Sequence, residues 1–212
     1  MNTSNIIAVI GGTGKSGKYL INELLSRNFQ IRALHRAPET IDFLHKNLTW
    51  IKGDARDTEA VSALVAGCAA VISTLGQPKG EKSIFSDASR NVIQAANTTG
   101  IDRYIVTTGL QVDTPVDRKS EKTTFATNWM KSNYTETTTD KQLEYQLLSE
   151  SKLNWTLVRL PLIVLTDERK PVTTSLQDCP GEQIGAADLA AFLANQLTDD
   201  KFLKQAPFLA NA

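Results

Sequence analysis

The apolar run Ile6-Ile7-Ala8-Val9-Ile10 stops at Gly11-Gly12-Thr13-Gly14-Lys15-Ser16-Gly17, and an amphipathic stretch follows at once. β-branched residues favour a buried strand, the glycines a turn, and the leucines beyond them, at helical spacing, a helix. Gly11 stands where the backbone reverses and Gly14 where a main chain can approach a phosphate. Gly17 lets the new helix lie against the strand. The free amides and positive dipole end of that helix form an anion site. Gly-x-x-Gly-x-x-Gly at the first strand–helix junction is thus a variant dinucleotide fingerprint, with Thr13, Lys15 and Ser16 placed for the pyrophosphate or the adenosine phosphate. For Lys15 a solvated first-turn lysine is the alternative. Gly14-Lys15-Ser16 also copies the end of a triphosphate-binding loop, but Val9 stands where that motif needs its first glycine. Nor does the apolar run at 69–72 end in an aspartate suited to magnesium; it enters Ser73-Thr74.

Downstream the pattern alternates. Strands are expected at 30–34, 48–52, 69–73, 104–107 and 155–159. Helices are expected at 15–27, closed by Asn28; at 57–66, capped by Asp57; at 85–99, ended by Gly100; at 140–151, with Leu143, Leu147 and Leu148 inward; and at 186–197. Strands separated by helices imply right-handed crossovers and an α/β fold, a Rossmann-like, doubly wound parallel sheet in one domain over residues 1–212. Residues from about 160 onward are expected to form a small cap on the substrate side. The segment 110–139 lacks periodicity and reads as a long irregular connection, either a wall or lid over a site or a surface excursion tucking Phe125, Trp129, Met130 and Tyr134 into the core.

In such sheets ligands bind beyond the carboxyl ends of the strands. Four of those ends are chemically distinctive: Gly11 to Gly17, His35-Arg36, Thr74-Leu75-Gly76 and Thr107-Thr108-Gly109. The second strand ends in Leu34-His35-Arg36, where an NAD-binding chain carries an acid for the ribose hydroxyls, and the first acid, Glu39, comes too late. A guanidinium suits a 2′-phosphate, so the expected cofactor is NADP rather than NAD. Thr74, Leu75 and Gly76 are expected to flank the adenine and ribose, with Asp54 and Ala55 beside the adenine; a turn or capping role is the alternative for Asp54.

Composition narrows the function classes. Lys plus Arg and Asp plus Glu are 23 each, so no global field points to nucleic acid or a membrane. Cys68 and Cys179 are too few for a disulfide framework and lack metal-ligand spacing, which fits a reducing cytoplasm. The start, Met1-Asn2-Thr3-Ser4-Asn5, is polar and reads as no signal peptide.

The ordered set of Ile7 to Gly17, Ala33-Leu34-His35-Arg36, Gly53-Asp54-Ala55, Val71 to Gly76, Lys141-x-x-Glu144, Trp155 to Pro161 and Ile184 to Ala190 resembles the atypical short-chain dehydrogenase/reductase superfamily. The match is to its NAD(P)H-binding, NmrA-like and flavin or biliverdin reductase-like members, over nearly the whole chain. The resemblance implies hydride transfer from NADPH to a flavin-like, quinone-like or other conjugated small-molecule acceptor. A non-catalytic, NADP-sensing regulatory protein of NmrA-like type is the alternative, and a sugar-nucleotide epimerase a third. It also places the family's active-site lysine at Lys141, with Thr108 a second candidate beside it. Thr137 stands where classical members carry the proton-donating tyrosine, and Tyr134 is off register. Lys141 is therefore expected to orient the cofactor, and a solvated lysine paired with Glu144 is the alternative. The partner expected is a small-molecule acceptor, with the chain a monomer or homodimer.

Overall fold

A computed structural model describes residues 5–78 and 80–211; the polar start at 1–4, where no leader was expected, lies outside them. Its frame is an eight-stranded sheet. β1 (Ile6–Ile10), β2 (Gln30–His35), β3 (Leu48–Lys52), β4 (Ala70–Ser73), β5 (Arg103–Gly109) and β6 (Asn154–Leu160) run parallel. β7 (Leu162–Val164) and β9 (Gln183–Gly185) form a separate parallel pair, while β8 (Val172–Ser175) and β10 (Phe208–Asn211) complete the main sheet. The order β3-β2-β1-β4-β5-β6-β10-β8 reverses direction between β1 and β4, and this is where doubly wound sheets open a crevice. Ile10 pairs with both Leu34 and Ser73, so the glycine turn, His35-Arg36 and Thr74-Leu75-Gly76 emerge side by side.

The helices close both faces because their apolar stripes have nowhere else to go. On one face α1 (Lys15–Ser26) lays Leu20 and Leu24 against Leu189 and Leu193 of α6 (Ala186–Asn195). On the other, α2 (Thr58–Val65), α3 (Phe85–Thr99) and α5 (Thr135–Glu150) enclose Leu64, Val92, Tyr104 and Leu148. The termini follow local chemistry. Asp57 caps α2 by accepting from the Glu59 amide at 2.9 Å, and Gly100, at φ 74°, ends α3 in the left-handed region. Asn28 closes α1 at φ 62°, as read from its type. No helix among the described residues is long and apolar enough to cross a membrane.

Three expectations need correction. Residues 110–139 are not irregular throughout: α4 (Glu121–Asn133) runs through them, capped by Ser120. Its buried side is Thr123 and Thr127, while Phe125 and Trp129 point outward, so no apolar stripe announces it. Next, α5 begins at Thr135 rather than 140, and its inward face is Thr138, Lys141, Glu144 and Leu148. Leu143 faces solvent. A helix packed on buried charge cannot be oriented by its leucines. Lastly, the chain beyond 160 is only in part a cap. Residues 161–185 stand over the strand ends, but α6 packs on α1 and β10 inserts between β6 and β8.

That insertion is held by a buried guanidinium. Arg159, fully enclosed on β6, donates from Nη1 to Asp117 Oδ1 and Oδ2 at 2.7 and 2.9 Å, from Nε to the Ala206 carbonyl at 2.9 Å and from Nη2 to the Leu176 carbonyl at 2.9 Å. Its Cζ lies 3.6 Å from the centre of the Phe208 ring. Burial pulls its pKa down and Asp117 pulls it back. Lys119, next along the same loop, donates to the Leu110 carbonyl at 2.9 Å and to Thr127 Oγ1 of α4 at 3.2 Å. Removing one member of a buried ion pair strands the other charge. Asp117→Ala is therefore expected to lower unfolding free energy by about 3 kcal/mol. The urea midpoint checks this; a midpoint within error of the parent would mean that Arg159 finds water instead.

Candidate functional site

Two depressions lie along the carboxyl ends of the strands, and Leu75 and Gly76 line both, so they form one groove. The smaller, about 310 Å³, is bounded by Gly11, Thr13 and Gly14 on one side and by His35, Arg36, Asp54 and Ala55 on the other. The larger, about 970 Å³, meets Ser16, Thr74, Thr108 and Lys141. Lys15 lines neither and is exposed; of its two expected roles, the solvated first-turn lysine matches its position.

The glycine turn is shaped by close approach. Gly11 has φ +82°, and a Cβ there would stand 2.8 Å from the backbone at Thr74 and Leu75. A Cβ on Gly17 would lie 2.1 Å from the Gly11 carbonyl oxygen, so helix and turn pack as the residue spacing predicts. Gly14 heads α1, and no side chain caps that helix, as is also the case for α3, α5 and α6. What distinguishes its start is position: Gly14 and Ser16 line the groove, and a helix N-terminus facing a groove has the chemistry a pyrophosphate requires.

At the smaller depression the structure adds residues that the sequence pattern did not indicate. Arg56 donates to Asp54 Oδ1 from Nε at 2.9 Å and to Oδ2 from Nη2 at 2.7 Å. Asp54 Oδ1 also accepts the Arg56 amide at 2.9 Å, so Asp54 both stabilises a turn and aims a guanidinium. The Arg56 hydrogen bonds hold the Asp54 carboxyl below its usual range. Glu81 spans the two arginines, with Oε1 2.6 Å from Arg36 Nη1 and Oε2 2.8 Å from Arg56 Nη2. Those two bonds, Arg36 first, lower its pKa. Local sequence around Arg36 contains no such acid, because Glu81 arrives from the β4–α3 connection.

The larger depression changes character. Its walls are Phe125, Trp129 and Met130 of α4 facing Pro161, Leu162 and Ile163, with Phe125 74% exposed and Trp129 51%. These aromatics line the cavity instead of filling the core, so α4 is a wall. Lys122 and Glu182 form an ion pair across it. Lys141 is buried, not solvated. Its Nζ donates to the Thr107 carbonyl at 3.0 Å and to Glu144 Oε2 at 2.8 Å, and lies 3.7 Å from the centre of the Phe85 ring. Glu144 Oε1 accepts from Ser89 Oγ at 2.8 Å, and Ser89 meets the Tyr104 hydroxyl at 3.0 Å. Burial raises the Glu144 pKa and Lys141 opposes it. Thr108 lines the chamber, and its Oγ1 is buried with no hydrogen-bond partner among the described residues. Thr137 lines neither depression, and Tyr134 stacks edge-on against Trp129 with ring centres 5.8 Å apart, outside both.

A family model described as NAD(P)H-binding matches residues 11–200. Human 3 beta-hydroxysteroid dehydrogenase type 7 is 30% identical over 125 residues, which are 52% of this chain and 34% of that protein. The chain spans about a third of the length of the curated relatives it matches. An anaerobillin reductase from Escherichia coli superposes with a TM-score of 0.81 at 22% identity, covering 97% of each chain. A short-chain dehydrogenase/reductase from Veillonella parvula, solved in complex with NADP, superposes with a TM-score of 0.78 at 17% identity, covering 97% of this chain and 94% of that one. At these identities the two structures show the fold. The groove in turn offers what a dinucleotide needs: an uncapped helix start behind close-packed glycines, paired guanidiniums at one end and an apolar chamber at the other.

Gly14 is exposed at φ −65°, a conformation open to any residue, and a Cβ there would stand 3.2 Å from the Gly11 carbonyl oxygen, so the turn takes a side chain by giving a few tenths of an ångström. Gly14→Val is expected to melt within a few degrees of the parent yet to bind no NADPH in calorimetry. Unchanged affinity in the folded variant would remove the turn from the site.

Proposed function

The chain belongs to the NAD(P)H-binding family, and from that premise we propose that it is an NADP-dependent reductase of a planar, conjugated small molecule, of the flavin or quinone kind. The observation that carries this reading is the 970 Å³ chamber beside Lys141 and Thr108, walled by Phe125, Trp129 and Leu162. Aromatic and aliphatic walls favour a flat apolar ring system, and few polar groups interrupt them. When bound, NADPH supplies a hydride. The chain's own residues bind, orient and exclude water. Gly11 and Gly14 let the backbone approach the pyrophosphate, Thr13 and Ser16 flank it, and His35 and Arg36 receive the 2′-phosphate. Thr74, Leu75 and Gly76 line the join between the two halves, with Asp54 and Ala55 beside the adenine.

Lys141 orients the nicotinamide ribose, Thr108 offers its free hydroxyl, and the acceptor takes its proton from water, since no phenol stands at position 137. That missing phenol also favours a second reading, a protein that binds NADP to report redox state without turnover. Oxidation of NADPH followed at 340 nm with a flavin or a quinone decides between them. Turnover supports the reductase; tight nucleotide binding with none of these acceptors reduced supports the sensor.

Arg36→Ala is expected to weaken NADPH binding by about tenfold or more, as the loss of a charge-assisted hydrogen bond to phosphate implies, and to leave NADH nearly unchanged. Equal loss for both cofactors in calorimetry would refute the assignment. Lys141 alone cannot be truncated cleanly, because Glu144 would be left buried and unpaired. Lys141→Met combined with Glu144→Gln removes both charges together. The double variant is expected to raise the KM for NADPH several-fold while largely sparing kcat. Collapse of kcat at saturating NADPH, with cofactor affinity intact, would give the lysine a direct part in the chemistry.

A further inference from the structure

We infer that Glu81 is an internal stand-in for the 2′-phosphate, a carboxylate that holds Arg36 and Arg56 until NADP(H) displaces it and that bars NAD(H) from doing the same. The inference rests on the NADP reading given above. Each carboxylate oxygen engages a different guanidinium, Oε1 with Arg36 at 2.6 Å and Oε2 with Arg56 at 2.8 Å. One small anion bridging two arginines is the arrangement a phosphate monoester would adopt at the same place. Both arginines line the adenosine half of the groove, beside His35 and Asp54.

The two guanidiniums are held differently. Arg56 is also gripped by Asp54 through Nε and Nη2, so it stays aimed at the groove when Glu81 leaves. Arg36, more than half exposed, has Glu81 as its ion-pair partner among the described residues. Without an anion it would be free to swing into solvent, and Glu81 keeps it in place. The Glu81 backbone is itself tied: Gln77 Nε2 donates to its carbonyl at 2.8 Å. Farther along, the Ser83 amide donates to Glu136 at 2.9 Å and Ser83 Oγ to Asp140 at 2.6 Å. Release therefore needs a change of side-chain rotamer, with the connection left where it is.

Charge explains why only one cofactor opens the latch. Arg36, Arg56, Asp54 and Glu81 sum to zero, and a dianionic phosphate replaces one carboxylate with a stronger partner for both arginines. Exposed ion pairs are individually weak, so this exchange is downhill. A ribose hydroxyl carries no charge and cannot compete with the carboxylate for a guanidinium. For NAD(H) the bridge stays shut, and neither arginine is released to the ribose.

Calorimetry with adenosine 2′,5′-bisphosphate, 5′-AMP, NADPH and NADH tests this on the wild-type chain, Glu81→Gln and Glu81→Ala. Thermal melting first shows that the variants fold; the residue lies in a surface connection. Both variants should bind the bisphosphate and NADPH about three- to tenfold more tightly, the scale of two exposed ion pairs removed, and AMP and NADH no less tightly than before. Wild-type protein that prefers the bisphosphate to AMP, together with variants that bind it no better or worse, overturns the latch alone. Weaker NADH binding in the variants also overturns it, since Glu81 would then be a ribose ligand. Wild-type protein indifferent to the 2′-phosphate overturns the NADP reading and the latch with it.

Discussion

Burying a guanidinium in a sheet is costly, and the fold around Arg159 is arranged to meet that cost. Three separate pieces of chain converge on it: Asp117 and the Val112 carbonyl from the loop after β5, Leu176 after β8, and Ala206 with the Phe208 ring at the start of β10. None of these pieces could drift without exposing an unpaired charge. The loop it anchors carries Lys119, which in turn grips α4 at Thr127. An apolar chamber is therefore positioned from behind by a polar hub. Hydrophobic contact alone would leave the wall helix free to slide, because its buried side is threonine and its aromatics face outward.

The two halves of the groove solve different problems. The smaller half is built of charge on short connections, where Asp54, Arg56, Glu81 and Arg36 form a linked row at moderate exposure. Screening by solvent keeps each bond there exchangeable. The inner half buries the ion pair of Lys141 with Glu144 and fixes it further through Ser89 and Tyr104, while Lys122 with Glu182 pairs in solvent at its edge. Exchange at one end and rigidity at the other suit a site that must admit a large cofactor and then hold its far end still.

What could be read from the chain follows the range of the forces involved. The glycine turn was legible because much of its constraint is local: Gly14 and Gly17 pack on the Gly11 carbonyl a few residues away, although Gly11 itself is pressed by the distant backbone of Thr74 and Leu75. The parallel strands were legible because burial on both faces leaves continuous apolar runs. Asp57 and Gly100 marked helix ends by their own chemistry. By contrast α4 was hidden because it packs through Thr123 and Thr127, and the inward face of α5 was only partly legible: Leu148 is buried as expected, but Lys141 and Glu144 face inward where Leu143 does not. The C-terminal segment misled for a related reason, since Phe208 to Asn211 becomes a strand only when Arg159 and Thr174 are beside it. Glu81 could not be connected to Arg36 at all from spacing; the pair is 45 residues apart and meets only after β1 and β4 lie side by side.

The tryptophans fall where they can be told apart. Trp50 meets His35 edge-on with ring centres 6.1 Å apart, beside the smaller depression. Trp129 stands half-exposed on the chamber wall, and Trp155 is enclosed in the core against Tyr145. Each region of the molecule thus carries its own indole in a distinct surrounding. Emission from Trp129 responds to whatever stacks in the chamber, that of Trp50 to events around His35, and that of Trp155 to loss of the core. Replacing Trp50 or Trp129 singly with phenylalanine would separate the signals, so that arrival at each end of the groove could be timed independently in one unlabelled protein.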